Sequence, residues 1–394
     1  MRAVVVRDGV LTVEEVPLPV PGPGQVRLRV TRAGICGSDL HVRHEAEASA
    51  DVAAEVGYDH FMRRSHSVVM GHEFTGAVES YGPGCRRRWR IGQPVVALPL
   101  IKHGDEIHMT GLSTRAPGAY AEYMLVAEEA TFPVPVGVPA DLAALTEPLA
   151  VAHHAVRRGR VGRNDAAVVI GCGPIGLAVI LMLKAAGVRH VVAGDLSPAR
   201  RDLARSCGAD VVVDPAAESP WAALDSRSEL VTSATALYSA GLDALRDLRR
   251  LPGVPWWTAM RAGQRLGAGP RGAVVFECVG LPGVIEEIVT RAPFRSRVVV
   301  VGVCMKPDTF RPTMASNKEI DLRFSFCYDP VEFREALQMV ARGRLDPRPL
   351  LTGVVGLEGV AEAFEVLSRA DSQAKILVDP ASGVTTVRAT VHRN

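Results

Sequence analysis

Apolar and polar residues alternate with a two-residue period along the first third of the chain, in short runs such as VRLRVTRAGI, GAVESYG, PVVALPL and AYAEYMLV. Turn-forming stretches, PVPGPGQ and YGPG among them, separate these runs. Short strands punctuated by Gly and Pro predict an irregular, barrel-like β domain. Near Asp141 the period lengthens: in DLAALTEPLAVAHHAVRRG the apolar positions recur at helical spacing, behind an Asp placed to cap the start. From Ala166 the grammar changes again. The run AAVVIGCGPIGLAVILMLKAAGVRHVVAGDLSPARRDLARSCGADVVVD reads strand, glycine turn, helix, strand, helix, strand. GAVVFECVG and RVVVVGV are further apolar runs of buried type, each ending near a glycine. Such alternation is what a parallel sheet covered by helices requires.

The fold class read from this pattern is α/β: a doubly wound parallel (Rossmann) sheet beside a smaller, irregular β domain. Residues 1–152 form the β domain and 153–311 the nucleotide-type domain. Residues 312–394 return to the first domain and end in a tail that, from Pro380, reads as frayed. Two segments carry extra chain. Val42 to Val69 is a polar, His-containing loop, and an insertion of about 217–270 holds helix-like patches and a tryptophan pair.

Composition narrows the function. Apolar residues make up 47%, charged residues 22%, and the formal net charge is +2. That balance gives no electrostatic reason to expect nucleic acid or an anionic membrane as partner. The basic cluster CRRRWRIG reads as a solvated turn. No apolar run reaches the ~18 residues of a membrane span. The opening residues alternate like a strand rather than a signal peptide. Seven scattered cysteines without a CxxC suggest reduced thiols, hence a cytoplasmic setting.

Two constellations carry chemistry. In VVIGCGPIG, Gly171, Gly173 and Gly176 match the dinucleotide fingerprint: a tight turn, close approach of backbone to pyrophosphate, and close helix–strand packing. Pro174 and Ile175 complete the turn, and the helix they open offers its N-terminus to phosphate. Asp195, at the end of VVAGD, stands where a carboxylate accepts hydrogen bonds from ribose hydroxyls. A carboxylate there repels a 2′-phosphate, which favours NAD over NADP, with Arg200 and Arg201 covering the adenine side. The second constellation is dispersed: Cys36 in AGICGSDLH, His72 and Glu73 in VVMGHEFTGAVES, and Glu147 in LTEPLAVAHHAV. A lone Cys is ordinarily a small core hydrophobe, and a lone His a satisfied polar residue. Together, beside a nucleotide fold, a thiolate, an imidazole and carboxylates suit Zn²⁺.

The motifs GICGSDLH, GHEFTGAV, TEPLAVAHHAV and VIGCGPIGLAVILMLKAAG together resemble the medium-chain, zinc-dependent alcohol dehydrogenases, most closely the polyol and butanediol branch. The resemblance covers nearly the whole chain apart from the two extra segments and the tail. It implies a GroES-like first domain, one catalytic zinc held by Cys36, His72 and Glu73, and Glu147 as a fourth ligand, direct or through water. It further implies that hydride passes between an alcohol, of secondary or diol type, and NAD, giving a ketone or aldehyde. Ser38 and His41 would relay the proton, and Asp39 would brace the turn or the ligands. On the nicotinamide side it implies the backbones of Cys278, Val279 and Gly280 and of Val301, Gly302 and Val303, with Ser325 or Phe326 opposite.

Pocket walls are sought around Tyr58 and Phe61 and around Leu98 to Thr110. The resemblance also implies a homodimer or homotetramer, its sheets joined edge to edge through RVVVVGV. Many relatives hold a structural zinc in a lobe with four cysteines. The corresponding stretch here has none, and His103, Asp105, Glu106 and His108 read as solvated loop residues, because structural zinc favours thiolates. Two other readings compete: a zinc-free enone or quinone reductase of the same superfamily, and a non-catalytic nucleotide-binding protein.

Overall fold

A computed structural model describes residues 1–224, 230–266, 268–269, 271–369 and 373–389. The first domain is organised by one long strand, Gln25–Gly34. It pairs antiparallel along its length with Glu73–Tyr81, and on its other side with Tyr123–Ala127 and then Lys375–Val378. Its alternate residues Val26, Leu28 and Val30 are buried, which is why a two-residue period was visible there. Lys375–Val378 and Leu351–Val355 therefore return the C-terminal region to the N-terminal sheet. A separate sheet places Arg2–Arg7 between Val10–Glu15 and Val68–Val69.

The second domain is a six-stranded parallel sheet in the order Val211–Val213, His190–Gly194, Ala166–Ile170, Val274–Glu277, Arg297–Val300, Asp321–Phe324. This is the doubly wound order 3-2-1-4-5-6. The first crossover helix, Pro174–Ala185, buries every residue from Gly176 to Leu183, so its sequence is apolar all round rather than striped. The helix Thr146–Gly159 packs on it and carries Glu147 in its first turn. The histidines of AHH on that helix turn to its neighbour Pro330–Ala341, where His153 meets Glu335 and His154 meets Glu332.

The boundary expected at 311 lies further on, since Asp321–Phe324 completes the parallel sheet before the chain returns to the first domain. Four further expectations are corrected. The segment after Val42 is no loop: a 19-residue helix, Gly37–Glu55, runs through most of it, kinked at Glu45. Its buried face is Val42, Ala46 and Ala50, a stripe of mostly alanine too weakly apolar to register as helical periodicity. The tail from Pro380 is tied down as far as Ala389, since Arg388–Ala389 pairs with Leu351–Val355 and Val384 O accepts the Gly356 N–H at 2.7 Å; its last residues, 390–394, lie outside the described residues. RVVVVGV is not an edge: Arg297–Val300 is paired on both sides, and the sheet ends at Asp321–Phe324. The fourth correction, at His108, belongs to the site below.

The insertion forms two helices, Ala234–Leu248 and Trp256–Arg265, in which no residue is buried. Residues 225–229, 267 and 270 of that expected insertion lie outside the described residues. All seven cysteines are free thiols. Among the described residues no helix is long and apolar enough to cross a membrane.

Candidate active site

Cys36 is the N-cap of the helix Gly37–Glu55, directly after the central strand. The pairing of Gly34 with Glu73 brings the end of that strand against the His72–Glu73 pair. The result is that a ligand atom from each of Cys36, His72 and Glu73 lies within 4.8 Å of the other two. Residues separated in sequence thus meet because two strands share one register.

Asp39 is fully buried and receives the Tyr120 hydroxyl at 2.5 Å and the Cys36 backbone N–H at 3.1 Å. Its other oxygen stands 3.3 Å from His72 Nδ1. His72 Nε2 lies 3.4 Å from Ser38 Oγ. Burial pushes the Asp39 carboxyl up, but His72 and the hydrogen bonds outweigh it and hold the group below its ordinary range. Burial likewise pulls His72 down, while Asp39 and Cys36 raise it well above its usual value. A buried carboxylate beside one imidazole nitrogen, leaving the other to face a ligand, is the way proteins orient a metal-binding histidine.

Glu73 has its own buried partner. Lys375 Nζ donates to both carboxylate oxygens at 2.7 and 2.8 Å, and to Ile35 O at 2.9 Å, so all three ammonium protons are used. Both residues are essentially without solvent exposure. Burial lowers the Lys375 ammonium, yet Glu73 overcomes it and the net shift is upward. The room for this carboxylate comes from Gly34, since a Cβ there would sit 2.1 Å from Glu73 Oε2. Glu147 is half-buried nearby. Burial pushes its carboxyl up to about 7, with His72 pulling it down and Glu73 pushing it up. It is hydrogen-bonded to Tyr328, whose hydroxyl is raised well above its ordinary value by burial and by Glu147. His41, one turn along from Ser38 on the same helix face, is exposed.

The cofactor-type residues gather at the carboxyl ends of the parallel strands. Gly171 has φ +90°, and a Cβ on Gly176 would fall 1.9 Å from Gly171 O, so turn and helix touch through backbone. In front of Gly173 the nearest atom to a Cβ is Arg200 Nη1 at 4.0 Å, leaving backbone open to a ligand. Pro174 is the first residue of the helix and Ile175 its neighbour. Asp195 accepts from Cys172 N at 2.7 Å and Ser197 N at 2.8 Å. Arg201 is occupied by the carbonyls of Asp195 and Leu196 and by Asp214, while Arg200 Nε is buried with no hydrogen-bond partner. Glu277 Oε1 accepts from Val279 N and Gly280 N, and its carbonyl accepts from Val301 N and Gly302 N. This one residue, through its side chain and its carbonyl, therefore ties Cys278–Gly280 to the strand end at Val301–Val303. Ser325 N bonds to Val300 O at 2.9 Å, with its hydroxyl buried and unpaired, whereas Phe326 is 76% exposed.

Sequence reasoning passed over Tyr120, Lys375 and Tyr328, and took Glu277 only as the start of the ECVG backbone lining the nicotinamide side, not for its side chain. Only Glu277 had a signal, an acidic residue ending an otherwise apolar strand. It also misjudged the stretch after Leu98. Leu100–His103 and Glu106–Met109 form an antiparallel hairpin, and although Asp105 and Glu106 are exposed, His108 is fully buried. His108, Glu106 and His60 offer ligand atoms within 4.8 Å of one another. Of the proposed walls, Tyr58 accepts the Met109 N–H at 2.8 Å and Phe61 packs on the first-domain core.

A Rossmann sheet joined to a GroES-like domain, with a thiol, an imidazole and a carboxylate converging in the latter, has the build of a metal-using, nucleotide-dependent oxidoreductase. Family models agree: one for the alcohol dehydrogenase GroES-like domain matches residues 22–136, and one for zinc-binding dehydrogenases matches residues 174–342. The chain is 30% identical over 381 residues to (R,R)-butanediol dehydrogenase of Bacillus subtilis, covering 94% of this chain and 96% of that one. It is 29% identical over 391 residues to the enzyme of the same name from Neisseria gonorrhoeae, covering 94% and 97%. The crystal structure of the B. subtilis 2R,3R-butanediol dehydrogenase superposes with a TM-score of 0.72 at 28% identity, over 96% of this chain and 99% of that one. The chain belongs to the zinc-dependent medium-chain alcohol dehydrogenases, in their polyol and butanediol branch. It is an alcohol oxidoreductase that uses a nicotinamide cofactor.

Proposed function

We propose that the protein oxidises a secondary alcohol or vicinal diol with NAD, or reduces the corresponding ketone, at a zinc ion held by Cys36, His72 and Glu73, with Glu147 a further ligand, direct or through water, that gives way to substrate. The observation that carries this is the convergence of the three donors with Asp39 braced behind His72. Their chemistry fits zinc, which takes sulfur, nitrogen and oxygen ligands and keeps one position open in catalytic sites. When bound, the metal supplies Lewis acidity that makes an alcohol hydroxyl far easier to deprotonate. The chain's residues do the rest. Tyr120 and the Cys36 N–H fix Asp39, which fixes the ring of His72. Lys375 holds Glu73 and balances its charge. Ser38, beside His72 Nε2, receives the substrate proton, and exposed His41 on the same helix face passes it to water.

The glycine turn and the open backbone before Gly173 support pyrophosphate binding there. Asp195 favours NAD because its negative charge disfavours a 2′-phosphate. The exposed Phe324 on the terminal strand of the parallel sheet supports a homo-oligomer joined along that edge. Diol specificity rests on the butanediol dehydrogenases the chain is similar to. The test is oxidation of (R,R)-butane-2,3-diol, ethanol and an enone control by purified protein with NAD and with NADP. Diol turnover with NAD, lost in Cys36→Ala, is expected; enone reduction indifferent to that change overturns the reading.

A further inference from the structure

The hairpin Leu100–His103/Glu106–Met109 reverses the usual order of inside and outside. Ile107 is 48% exposed while its neighbour His108 is completely buried, opposite buried Ile101. Putting an imidazole in the interior and an isoleucine in water costs free energy unless the imidazole has a partner of its own. His108 has only half of one. Its Nδ1 is hydrogen-bonded to Ser113 Oγ at 3.0 Å, but its Nε2 is buried with no hydrogen-bond partner. Glu106 Oε2 stands 3.5 Å from it.

That unpartnered nitrogen faces a gathering of donors. The His60 ring lies 4.5 Å from the His108 ring, and one ligand atom each from His60, Glu106 and His108 falls within 4.8 Å of the others. His60 reaches the cluster from the segment after the helix Gly37–Glu55, which is stitched to the hairpin by Met109 N to Tyr58 Oη at 2.8 Å and to the turn after it by Met62 N to Leu112 O at 2.7 Å. Arg115 is ion-paired to Glu106 Oε2, leaving the second carboxylate oxygen for another partner. His103 borders the group with its ring 5.3 Å from that of His108, its Nε2 engaged by Arg115 O at 2.8 Å.

We infer that His60, Glu106 and His108 form a second binding site, for a divalent transition-metal ion of the zinc type, separate from Cys36, His72 and Glu73. Two imidazoles and one carboxylate are a donor set that zinc accepts, with water completing the tetrahedron. The Ser113 hydroxyl, bonded to Nδ1, holds the His108 ring so that Nε2 points at the ion, as a buried partner does for other metal-binding histidines. The ion's role is to staple the hairpin to the segment carrying Tyr58 and Phe61. The expectation of a single zinc per chain becomes an expectation of two.

The two sites differ in chemistry, so they can be counted apart. Full-length protein is stripped with chelator and titrated with Co²⁺ alone, then with Zn²⁺ alone. A thiolate ligand gives bound Co²⁺ an intense near-ultraviolet charge-transfer band, whereas a His₂-carboxylate site gives only weak visible bands. The parent is expected to take two equivalents. His60→Ala, at an exposed position that leaves the core intact, takes one and keeps the thiolate band. Glu106→Gln repeats that result, and Cys36→Ala takes one without the band. In the Cys36→Ala background, Zn²⁺ raises the melting temperature, and adding His60→Ala removes the rise. One equivalent in the parent, or two retained in both His60→Ala and Glu106→Gln, overturns the inference while leaving the Cys36 site standing.

Discussion

The two donor clusters of the first domain are built on opposite plans. At Cys36, His72 and Glu73, the carboxylates are buried and each accepts hydrogen bonds, Asp39 from Tyr120 and Glu73 from Lys375, while Asp39 Oδ1 and His72 Nδ1 face one another at 3.3 Å with no other partner among the described residues. At His60, Glu106 and His108, two of the three residues are exposed, and only His108 is fixed from behind. The first arrangement is organised by the fold whether or not an ion is present; the second is completed by its ion. A site of the first kind suits chemistry, because geometry must survive turnover, and one of the second suits a staple. The cost of the first plan is a set of charges that cannot lose a partner.

Substitutions can break that contrast, and their expected effects fall in order. Cys36→Ala removes a donor that nothing replaces, and kcat/KM for alcohol oxidation should drop about 10⁴-fold, about 5 kcal/mol of transition-state stabilisation. Lys375→Met leaves Glu73 charged and dry, so urea unfolding should show a loss of about 3–5 kcal/mol. A loss under about 1 kcal/mol would mean that water already reaches the pair. Tyr120→Phe takes one hydrogen bond from a buried carboxylate, worth about 1.5–3 kcal/mol in the same assay. Asp39→Asn should weaken zinc retention at the Cys36 site by about 10–100-fold, read by competition with a chelator, and leave the hairpin metal alone. His60→Ala in metal-free protein should change stability by less than about 0.5 kcal/mol, since its side chain is exposed. If instead it costs as much as Lys375→Met, the hairpin cluster is prebuilt and the contrast fails.

How far the sequence revealed the site follows from where each partner sits. Cys36, His72 and Glu73 were legible because each occurs in a short, distinctive motif, and the glycine triplet because it lies between an apolar strand and an apolar helix. Lys375 was not legible: it meets Glu73 across 302 residues, through a strand that returns from the far end of the chain. No local pattern marks that pairing, and a lysine before a strand ordinarily reads as a solvated end. The helix Gly37–Glu55 was missed because its buried stripe is mostly alanine, and with it was lost the way His60 comes to rest beside the hairpin. His108 was misplaced because in GDEIHMT the isoleucine, not the histidine, looks like the inward residue. The edge of the parallel sheet was misassigned for a related reason. RVVVVGV is apolar because it is covered on both sides, and the true edge, DLRF, is the more polar strand.

The most direct test of the account is the metal dependence of turnover itself. Protein stripped by chelator and supplied with NAD and (R,R)-butane-2,3-diol should be inactive, and zinc should restore NADH formation in the parent but not in Cys36→Ala. Undiminished diol oxidation by the metal-free protein would contradict the assignment of Cys36, His72 and Glu73 as a catalytic zinc site.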